Sequence, residues 1–309
     1  MYLRAALGSL LHELIVIGGK RKYVVIYFYL MRAYISVDLE GMPFIVSVDH
    51  LSVGKPLYEE ARKIATELVL VVSEILKEEG FEKVIVADSH GPMVNIKVED
   101  LPEYVEIIRG FPRPTSMVVD VKEADVAMFL GYHARANTAE AVFDHTYSGA
   151  AIRYFKINDI EVSEYLLNTY YAGHFNVPVI LVAGDSKLLE DVAKYTPWAE
   201  RVEFKKSYSR YSAKSPSLKT LKNRIREAVR KAIAKYRRGE AKPLKLDSPI
   251  EMEVAFTLSG YADIASLLPG SKRLDGVTVA YKARDIVEAY KVLELWVLAS
   301  AGVRSLITK

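Results

Sequence analysis

Short apolar runs alternate with helical segments between residues 33 and 195 of this 309-residue chain. The runs lie at 33–37, 83–87, 124–130 and 177–183, and each one leads into a polar motif. Apolar runs separated by helices are typical of buried strands in a mostly parallel sheet. We therefore predict an α/β fold in which helices cover both faces of such a sheet.

Two carboxylates, Asp38 and Glu40, follow the first apolar run, and Gly41 comes directly after them. Residues i and i+2 of a strand point to the same face, so the two carboxylates should project together. Adjacent acids repel each other unless a proton or a cation lies between them, which favours a metal as their partner. Taken alone, such a pair more often consists of solvated acids at the end of a strand than of metal ligands. The other motifs of the chain shift this comparison towards metal ligands.

Two further buried strands end in histidine motifs, Asp88-Ser89-His90-Gly91 and Gly131-Tyr132-His133-Ala134. Ligands of such sheets gather beyond the carboxyl ends of the strands. A single strand end with a metal-type ligand is common by chance, whereas three such strand ends in one sheet are not. The set therefore favours a metal site. Glu164, in the first turn of a helix predicted over 164–172, adds another carboxylate. The candidate metal ligands are Asp38, Glu40, His90, His133 and Glu164.

A catalytic zinc usually has three protein ligands, so five ligands can form two sets of three if one carboxylate bridges. Asp38, at the centre of the predicted sheet, is the candidate bridge. Two metals roughly 3.5–4 Å apart would hold a hydroxide at neutral pH and polarise a carbonyl oxygen. Each residue also has a simpler interpretation. In that interpretation Asp38 and Glu40 are solvated acids at the end of a strand. His90 and His133 are loop histidines bonded to backbone. Glu164 is then an ordinary acid in the first turn of a helix, where the helix dipole favours it.

Composition excludes several classes of protein. The chain has no cysteine, so disulfides and thiolate metal sites are excluded and His, Asp and Glu remain as ligands. The net charge of +3, from 42 basic and 39 acidic interleaved residues, is too small for a nucleic-acid footprint. The apolar run at 23–31 is shorter than the roughly 20 residues that span a bilayer. We expect no nucleic-acid partner, no membrane association and a cytoplasmic location.

The character of the chain changes near residue 200, which suggests a division into regions. We predict an N-terminal extension of doubtful function over 1–30, a metal-binding catalytic domain over 31–200, and a smaller C-terminal α+β domain over 201–309. Met31 lies directly before the first metal-ligand strand, so the functional protein is expected to begin there in effect. The C-terminal region is expected to serve in oligomerisation and in forming the pocket.

The order of the motifs resembles that of a peptidase family. The segments are SVDLEG, ADSHG, FLGYHA, DHT, IND-x-x-x-SE and VPVILVAGD. In this order and at these intervals they resemble the M55 family of zinc-dependent D-aminopeptidases, closely over 31–216 and more loosely beyond. The resemblance implies a Rossmann-like metal domain with a smaller α/β domain, and two zinc ions per subunit. It implies that Asp38 bridges the metals, that Glu40 and His90 complete one site, and that His133 and Glu164 complete the other.

The same resemblance implies a catalytic role for His145, beside the metals, as a general base or as a donor to the oxyanion. It also implies a homo-oligomer, a decamer of two stacked pentamers around a channel, that releases N-terminal D-amino acids from short peptides. This chain departs from the family pattern at Asp144-His145-Thr146, at Ser163-Glu164 and over 42–55. The last difference leaves the size of the pocket, and so the substrate, open.

Three functions are therefore compared. The leading prediction is a hydrolase, a di-zinc metallo-aminopeptidase that acts on short peptides, including those that begin with a D-amino acid. The first alternative is another di-metal hydrolase, an amidase or a phosphoesterase, although only Lys55 and Arg135 lie near the metal motifs to bind phosphate. The second alternative is a non-catalytic peptide-binding assembly protein, against which the complete ligand set argues.

Overall fold

The computed structural model describes residues 10–17, 20–27 and 30–307. The strands are β1 (Leu10–Ile17), β2 (Lys20–Tyr27), β3 (Met31–Val37), β4 (Phe81–Asp88), β5 (Val105–Ile108), β6 (Val126–Tyr132), β7 (Ile152–Ile157), β8 (Ile160–Glu161), β9 (Val179–Asp185), β10 (Glu200–Ser209), β11 (Ser212–Lys214), β12 (Ile250–Phe256), β13 (Ser271–Arg273) and β14 (Thr278–Ala283). The helices are α1 (Tyr58–Glu78), α2 (Glu164–His174), α3 (Ser186–Tyr195), α4 (Leu218–Arg237), α5 (Ser259–Ala265) and α6 (Ile286–Ile307).

A seven-stranded sheet in the order β11-β10-β9-β6-β3-β4-β5 forms the centre of the fold. Its neighbouring strands are parallel except for the antiparallel pair β10 and β11. Strand β3 lies between β4 and β6, with Val37 opposite both Asp88 and Leu130. This arrangement confirms the predicted α/β fold with a mostly parallel sheet. It also brings the ends of β3, β4 and β6 side by side.

Helices α1 and α4 cover one face of this sheet and pack against each other. Basic side chains of α4 meet acidic side chains of α1 across their contact, as in the pairs Arg226 with Glu74 at 2.8 Å and Arg230 with Glu78 at 2.7 Å. The basic face of α4 is therefore matched by an acidic face of the neighbouring helix. Such pairing leaves little uncompensated charge for a phosphate backbone.

A second, antiparallel sheet has the order β13-β14-β12-β7-β8 and packs with α2, α5 and α6. Elements of the two sheets interleave along the chain, since β7 and β8 precede α2, whereas β10, β11 and α4 belong with the large sheet. The division at residue 200 does not coincide with the division between the sheets, and it stays a prediction about domains. Among the residues described, no helix has both the length and the apolar composition needed to cross a bilayer.

The strands that were not predicted from the pattern of residues include β1, β2 and β10. Strand β10 was missed because its pairing with β9 shifts register between Glu203 and Lys205, which interrupts the simple alternation of apolar and polar residues. Strands β1 and β2 form an antiparallel pair inside the region that we interpreted as an extension. That the functional protein begins at Met31 stays a prediction.

The backbones that follow β3 and β6 touch each other at two glycines. The amide of Gly41 donates to the carbonyl of Gly131 at 2.7 Å, and a Cβ on Gly41 would lie 1.8 Å from the carbonyl oxygen of Tyr132. Gly131 has φ +73°, and a Cβ there would lie 2.0 Å from the carbonyl oxygen of Asp38. Only residues without a side chain allow the two loops to approach this closely.

We expect Gly41→Ala to destabilise the protein by about 1–3 kcal/mol, because the added methyl group forces the two loops apart. Thermal unfolding followed by circular dichroism measures this effect. The matched control is Gly260→Ala in α5, where an added Cβ meets nothing within 4 Å. Equal melting temperatures for the two variants would contradict the requirement for glycine at position 41.

Candidate metal centre and active site

The structure brings the predicted ligand residues together at the carboxyl edge of the large sheet. Asp38 and Glu40 follow β3, His90 follows β4, His133 follows β6, and Glu164 is the first residue of α2. All five side chains are buried. Buried carboxylates and imidazoles at one place require partners or bound cations, because an isolated buried charge is costly.

Asp38 lies between two imidazoles. Its Oδ1 is 3.4 Å from Nδ1 of His90, and its Oδ2 is 3.6 Å from Nε2 of His133. The amide of Leu39 donates to Oδ1 at 2.9 Å and fixes the carboxylate in this orientation. Each oxygen of Asp38 therefore faces a different histidine, which is the geometry that a bridging carboxylate needs.

Glu164 has the same relation to a second pair of imidazoles. Its Oε2 lies 3.5 Å from Nε2 of His133, and its Oε1 lies 3.5 Å from Nε2 of His145. The amide of Tyr147 donates to Oε1 at 2.7 Å. Tetrahedral zinc with bonds of about 2.0–2.2 Å separates its ligand atoms by roughly 3.3–3.6 Å, so these spacings suit a shared cation.

Glu40 and His90 are closer together than two ligands of one metal. Oε2 of Glu40 lies 2.7 Å from Nδ1 of His90, which is a direct hydrogen bond. A cation between the two atoms requires them to separate by about 0.6 Å to reach the tetrahedral spacing.

Backbone carbonyls orient all three imidazoles in the same way. Nε2 of His90 donates to the carbonyl of Leu51, Nδ1 of His133 to that of Ala134, and Nδ1 of His145 to that of Phe143, each at 2.9 Å. Because a carbonyl only accepts, the bonded nitrogen carries the proton and the other nitrogen faces the carboxylates. This is the orientation that protein metal sites impose on ligating histidines.

Two buried atoms of the cluster lack hydrogen-bond partners within the described part of the chain, Oδ2 of Asp38 and Nε2 of His133. Leaving both unpaired in the interior is unfavourable, and a cation between them would satisfy both. Two groups of ligand atoms lie within 4.8 Å of one another, Asp38 with Glu40 and His133, and His133 with His145 and Glu164. The donor set therefore fits metal ions, with His133 common to both groups.

Burial and the charges of neighbouring groups shift the pKa values of the residues in the cluster strongly. Burial and the charge of Glu40 raise the pKa of Asp38 well above its ordinary value. Burial acts to raise the pKa of Glu40 as well, but the charge and hydrogen bond of His90 hold it well below its ordinary value. Burial acts to lower the pKa of His133, yet the carboxylates of Glu164 and Asp38 raise it to about 10. Protons thus supply the positive charge that metals would otherwise supply.

We expect zinc binding at pH 7 to release protons, because His133 with a pKa of about 10 is protonated in the metal-free protein. The stability that this proton gives the metal-free protein is complete below about pH 6.5 and is lost as pH rises through about 10. Zinc affinity should therefore strengthen with pH, by up to about tenfold per unit for each displaced proton. Titration calorimetry in two buffers of different ionisation enthalpy measures the release. Equal heats in both buffers would refute it.

Residues outside the cluster hold in place the loops that carry the candidate ligands. Asp88 does not face the cluster; its carboxylate accepts from Nδ2 of Asn95 at 2.6 Å and from the amide of Ile96 at 2.8 Å. Nδ2 of Asn95 also donates to the carbonyl of His90 at 2.8 Å. Asp185 caps α3 and accepts from the amide of Ala134 at 2.9 Å. These contacts fix the loops that carry His90 and His133.

A network of hydrogen-bonded hydroxyl and amide groups connects the elements that carry the cluster. The hydroxyl of Ser36 contacts that of Tyr132 at 2.7 Å, and Nδ2 of Asn168 donates to the Tyr132 hydroxyl at 2.9 Å. Oδ1 of Asn168 accepts from the hydroxyls of Tyr147 at 2.7 Å and Tyr290 at 2.9 Å. The network connects β3, β6, α2 and α6. Sequence reasoning did not assign a role to Tyr132, Tyr147 and Tyr290, because the 20 tyrosines of the chain are spread along its whole length.

Lys205 is another buried residue that sequence reasoning missed. Its ammonium group donates to the carbonyl of Glu40 and, at 2.6 Å, to that of Ile45, so it fixes the loop that carries Glu40. Burial lowers the pKa of Lys205 to about 7, although the carboxylates of Asp185 and Glu40 act to raise it. The consecutive pair Lys205-Lys206 within an amphipathic segment is the one sequence signal. The register shift in β10 then decides which of the two points inward.

We expect Lys205→Met to weaken zinc binding and to lower the melting temperature. The substitution leaves two buried carbonyls without a donor, at about 1–3 kcal/mol for each such group. Zinc affinity measured by competition with a chelator, together with thermal unfolding, reports both effects. Lys206→Met removes the same charge from the exposed neighbouring position and is the control. Similar behaviour of the two variants would show that Lys205 does not fix the loop.

The cluster opens into a cavity of about 220 Å³. The cluster residues that line it are Asp38, Glu40, His90, His145 and Glu164. The other lining residues include Met93, Met117, Glu294 and Val297. Buried carboxylates and imidazoles beside such a cavity, at the carboxyl edge of a parallel sheet, define the class of metal-dependent hydrolases.

Comparison with known proteins identifies the family. The family model Peptidase M55, D-aminopeptidase, matches residues 31–295, and the chain belongs to this family of peptidases. A D-aminopeptidase of Bacillus subtilis (strain 168) is 34% identical over 265 residues, which cover 85% of this chain and 95% of that protein. A solved structure, the Zn-dependent D-aminopeptidase DppA from Bacillus subtilis, is described as a self-compartmentalizing protease. It matches with a TM-score of 0.83 and 33% identity, over 88% of this chain and 98% of that one.

These matches confirm the family that the motifs resembled, and they confirm the fold and the prediction of a peptidase. The assignment of individual ligands, the number of metals and the role of His145 stay predictions.

Proposed function

We propose that this chain is a zinc-dependent D-aminopeptidase that removes the N-terminal residue of short peptides with two zinc ions per subunit. The observation that carries the proposal is the pair of unpartnered buried atoms, Oδ2 of Asp38 and Nε2 of His133, inside a cluster of acids and imidazoles beside a cavity. The similar Bacillus subtilis protein is described as Zn-dependent. Zinc, when bound, lowers the pKa of water and polarises a carbonyl oxygen.

Five residues would hold the metals. Asp38 would bridge, since its two oxygens face His90 and His133 at 3.4 and 3.6 Å. Glu40 would complete the site on the side of His90, and Glu164, with Oε2 at 3.5 Å from His133, would complete the other. Burial of all five excludes bulk water from the site and strengthens each electrostatic contact.

His145 would move the proton. Its side chain is 20% exposed and lines the cavity, unlike the more deeply buried imidazoles. Its ring stacks on His133 with centroids 4.4 Å apart, and Nε2 is the nitrogen free to react because Nδ1 donates to Phe143. Such a group serves as a general base or as a donor to the oxyanion. An ion pair between the neighbouring Asp144 and Arg210 fixes this segment.

The cavity favours a peptide over a phosphorylated substrate. No lysine or arginine is among the residues described as lining it, whereas a phosphoesterase needs positive charge beside its metals. An amidase would share the chemistry and differ only in the leaving group. A peptide-binding protein without turnover would have no use for a complete donor set.

We further propose a cytoplasmic homo-oligomer, a decamer as the family resemblance implies. The solved relative is described as self-compartmentalizing, which supports assembly. The C-terminal region would contribute to the pocket, since Glu294 and Val297 of α6 line the cavity. Sedimentation velocity measures the number of subunits, and a monomer at micromolar concentration would contradict the assembly.

Activity and metal content test the function together. We expect the zinc-loaded protein to release D-alanine from D-Ala-D-Ala faster than L-alanine from L-Ala-L-Ala. Asp38→Ala should lose both metals and all activity, because it removes the bridge. His145→Ala should keep its zinc and lose about 10²–10⁴ in kcat.

The control for His145→Ala is His174→Ala, which removes an exposed imidazole at the end of α2. Metal content by plasma mass spectrometry separates loss of zinc from loss of chemistry. Zinc-loaded protein that cleaves neither dipeptide would overturn the proposed function, and normal turnover by His145→Ala would remove that residue from catalysis.

A further inference from the structure

A fourth acid lines the cavity besides Asp38, Glu40 and Glu164. Glu294 comes from α6 and is 7% exposed. The other three acids face imidazoles of the cluster, whereas Glu294 does not. Its carboxylate is therefore available to a molecule that enters the cavity.

Glu294 has no cationic partner within ion-pair distance in the part of the chain that the structure describes. The guanidinium of nearby Arg113 donates instead to the carbonyl of Asp88 at 2.6 Å and to the sulfur of Met93. Burial raises the pKa of Glu294 to about 7, even though the charge of Arg113 and the hydroxyl of Ser116 act to lower it. An incoming cation would relieve the cost of burying this carboxylate.

Helix α6 holds Glu294 beside the metal cluster. One turn earlier on the same face, the hydroxyl of Tyr290 donates to Asn168 at 2.9 Å and contacts the hydroxyl of Tyr147. The amide of Tyr147 in turn donates to Glu164. The position of Glu294 is thus set by the residues that hold a predicted metal ligand.

We propose that Glu294 binds the α-ammonium group of the N-terminal residue of the substrate. This inference rests on the proposed function, because an aminopeptidase must recognise a free N-terminus. The carboxylates of Asp38, Glu40 and Glu164 would be neutralised by the cations that they hold, so they would not be available to pair with an ammonium group. Glu294 is the remaining carboxylate among the residues that line the cavity, so it can pair with the amino end of the peptide and hold it away from the metals.

Apolar residues of the same cavity limit the occupant further. Met93, Met117 and Val297 line it together with Glu294. They suit the side chain of an uncharged residue and disfavour a second charge. The ligand is therefore a short peptide with a free α-amino group and a small, uncharged first side chain, and N-acylated peptides are excluded.

The test compares two substrates that differ only in the ammonium group, D-Ala-D-Ala and propionyl-D-alanine. Wild-type zinc-loaded protein should prefer the first strongly in kcat/KM. In Glu294→Gln the ratio of the two kcat/KM values should fall about 10- to 100-fold, mainly through KM for D-Ala-D-Ala, because the charge-assisted hydrogen bond is lost. Zinc content and melting temperature report whether the variant is folded. Glu288→Gln removes an acid of α6 that pairs with Arg284 outside the cavity, and its ratio should match the wild type.

Binding is measured as well, so that the two proposals fail separately. Calorimetry of D-alanine and of propionate with zinc-loaded wild type and Glu294→Gln requires no turnover. Preference of the wild type for D-alanine, lost in the variant, supports the inference even if no dipeptide is cleaved. An unchanged ratio in Glu294→Gln, equal losses on both substrates, or a loss confined to D-Lys-D-Ala would overturn it; the last result would assign Glu294 to a cationic side chain.

Discussion

The mutual repulsion of buried carboxylates is the constraint on which the rest of this structure depends. Asp38, Glu40 and Glu164 are buried close together, and the imidazoles of His90, His133 and His145 are the groups that oppose their charges at ion-pair distance within the described residues. Such a cluster is stable only if protons or cations hold it together. The backbone must therefore keep the acids in place against their repulsion, and the hydrogen bonds from Leu39 and Tyr147 provide this.

The same requirement explains why the site is built where three strands end. The parallel register of β3, β4 and β6 brings the three following loops to one edge, and the close approach of Gly41 to Gly131 locks two of them together. Lys205 then ties the Glu40 loop to β10. Ordering the loops before any metal arrives lowers the conformational entropy that binding must overcome. The rigid sheet thus strengthens the binding of a cation, because the loops are already ordered when it binds.

Sequence reasoning anticipated the part of the site that depends on strand ends. Asp38, Glu40, His90 and His133 follow apolar runs that are easy to recognise, and Glu164 stands at a helix start marked by Ser163. It did not find Lys205, because the inward direction of that side chain depends on the register shift between Glu203 and Lys205. It did not find Glu294 either, since a single acid on an apolar helix does not reveal which cavity it lines. Contacts between distant segments carry that information, and a local pattern does not.

The cavity is lined by residues from nearly the whole length of the chain, from Asp38 after β3 to Glu294 and Val297 on α6. The metal-type ligands stand at the ends of β3, β4 and β6 and at the start of α2, whereas α6, which packs against α2, supplies another part of the lining. Substitutions on α6 therefore reshape the lining without altering the strand ends, so the choice of substrate is able to diverge among related chains while the chemistry is retained.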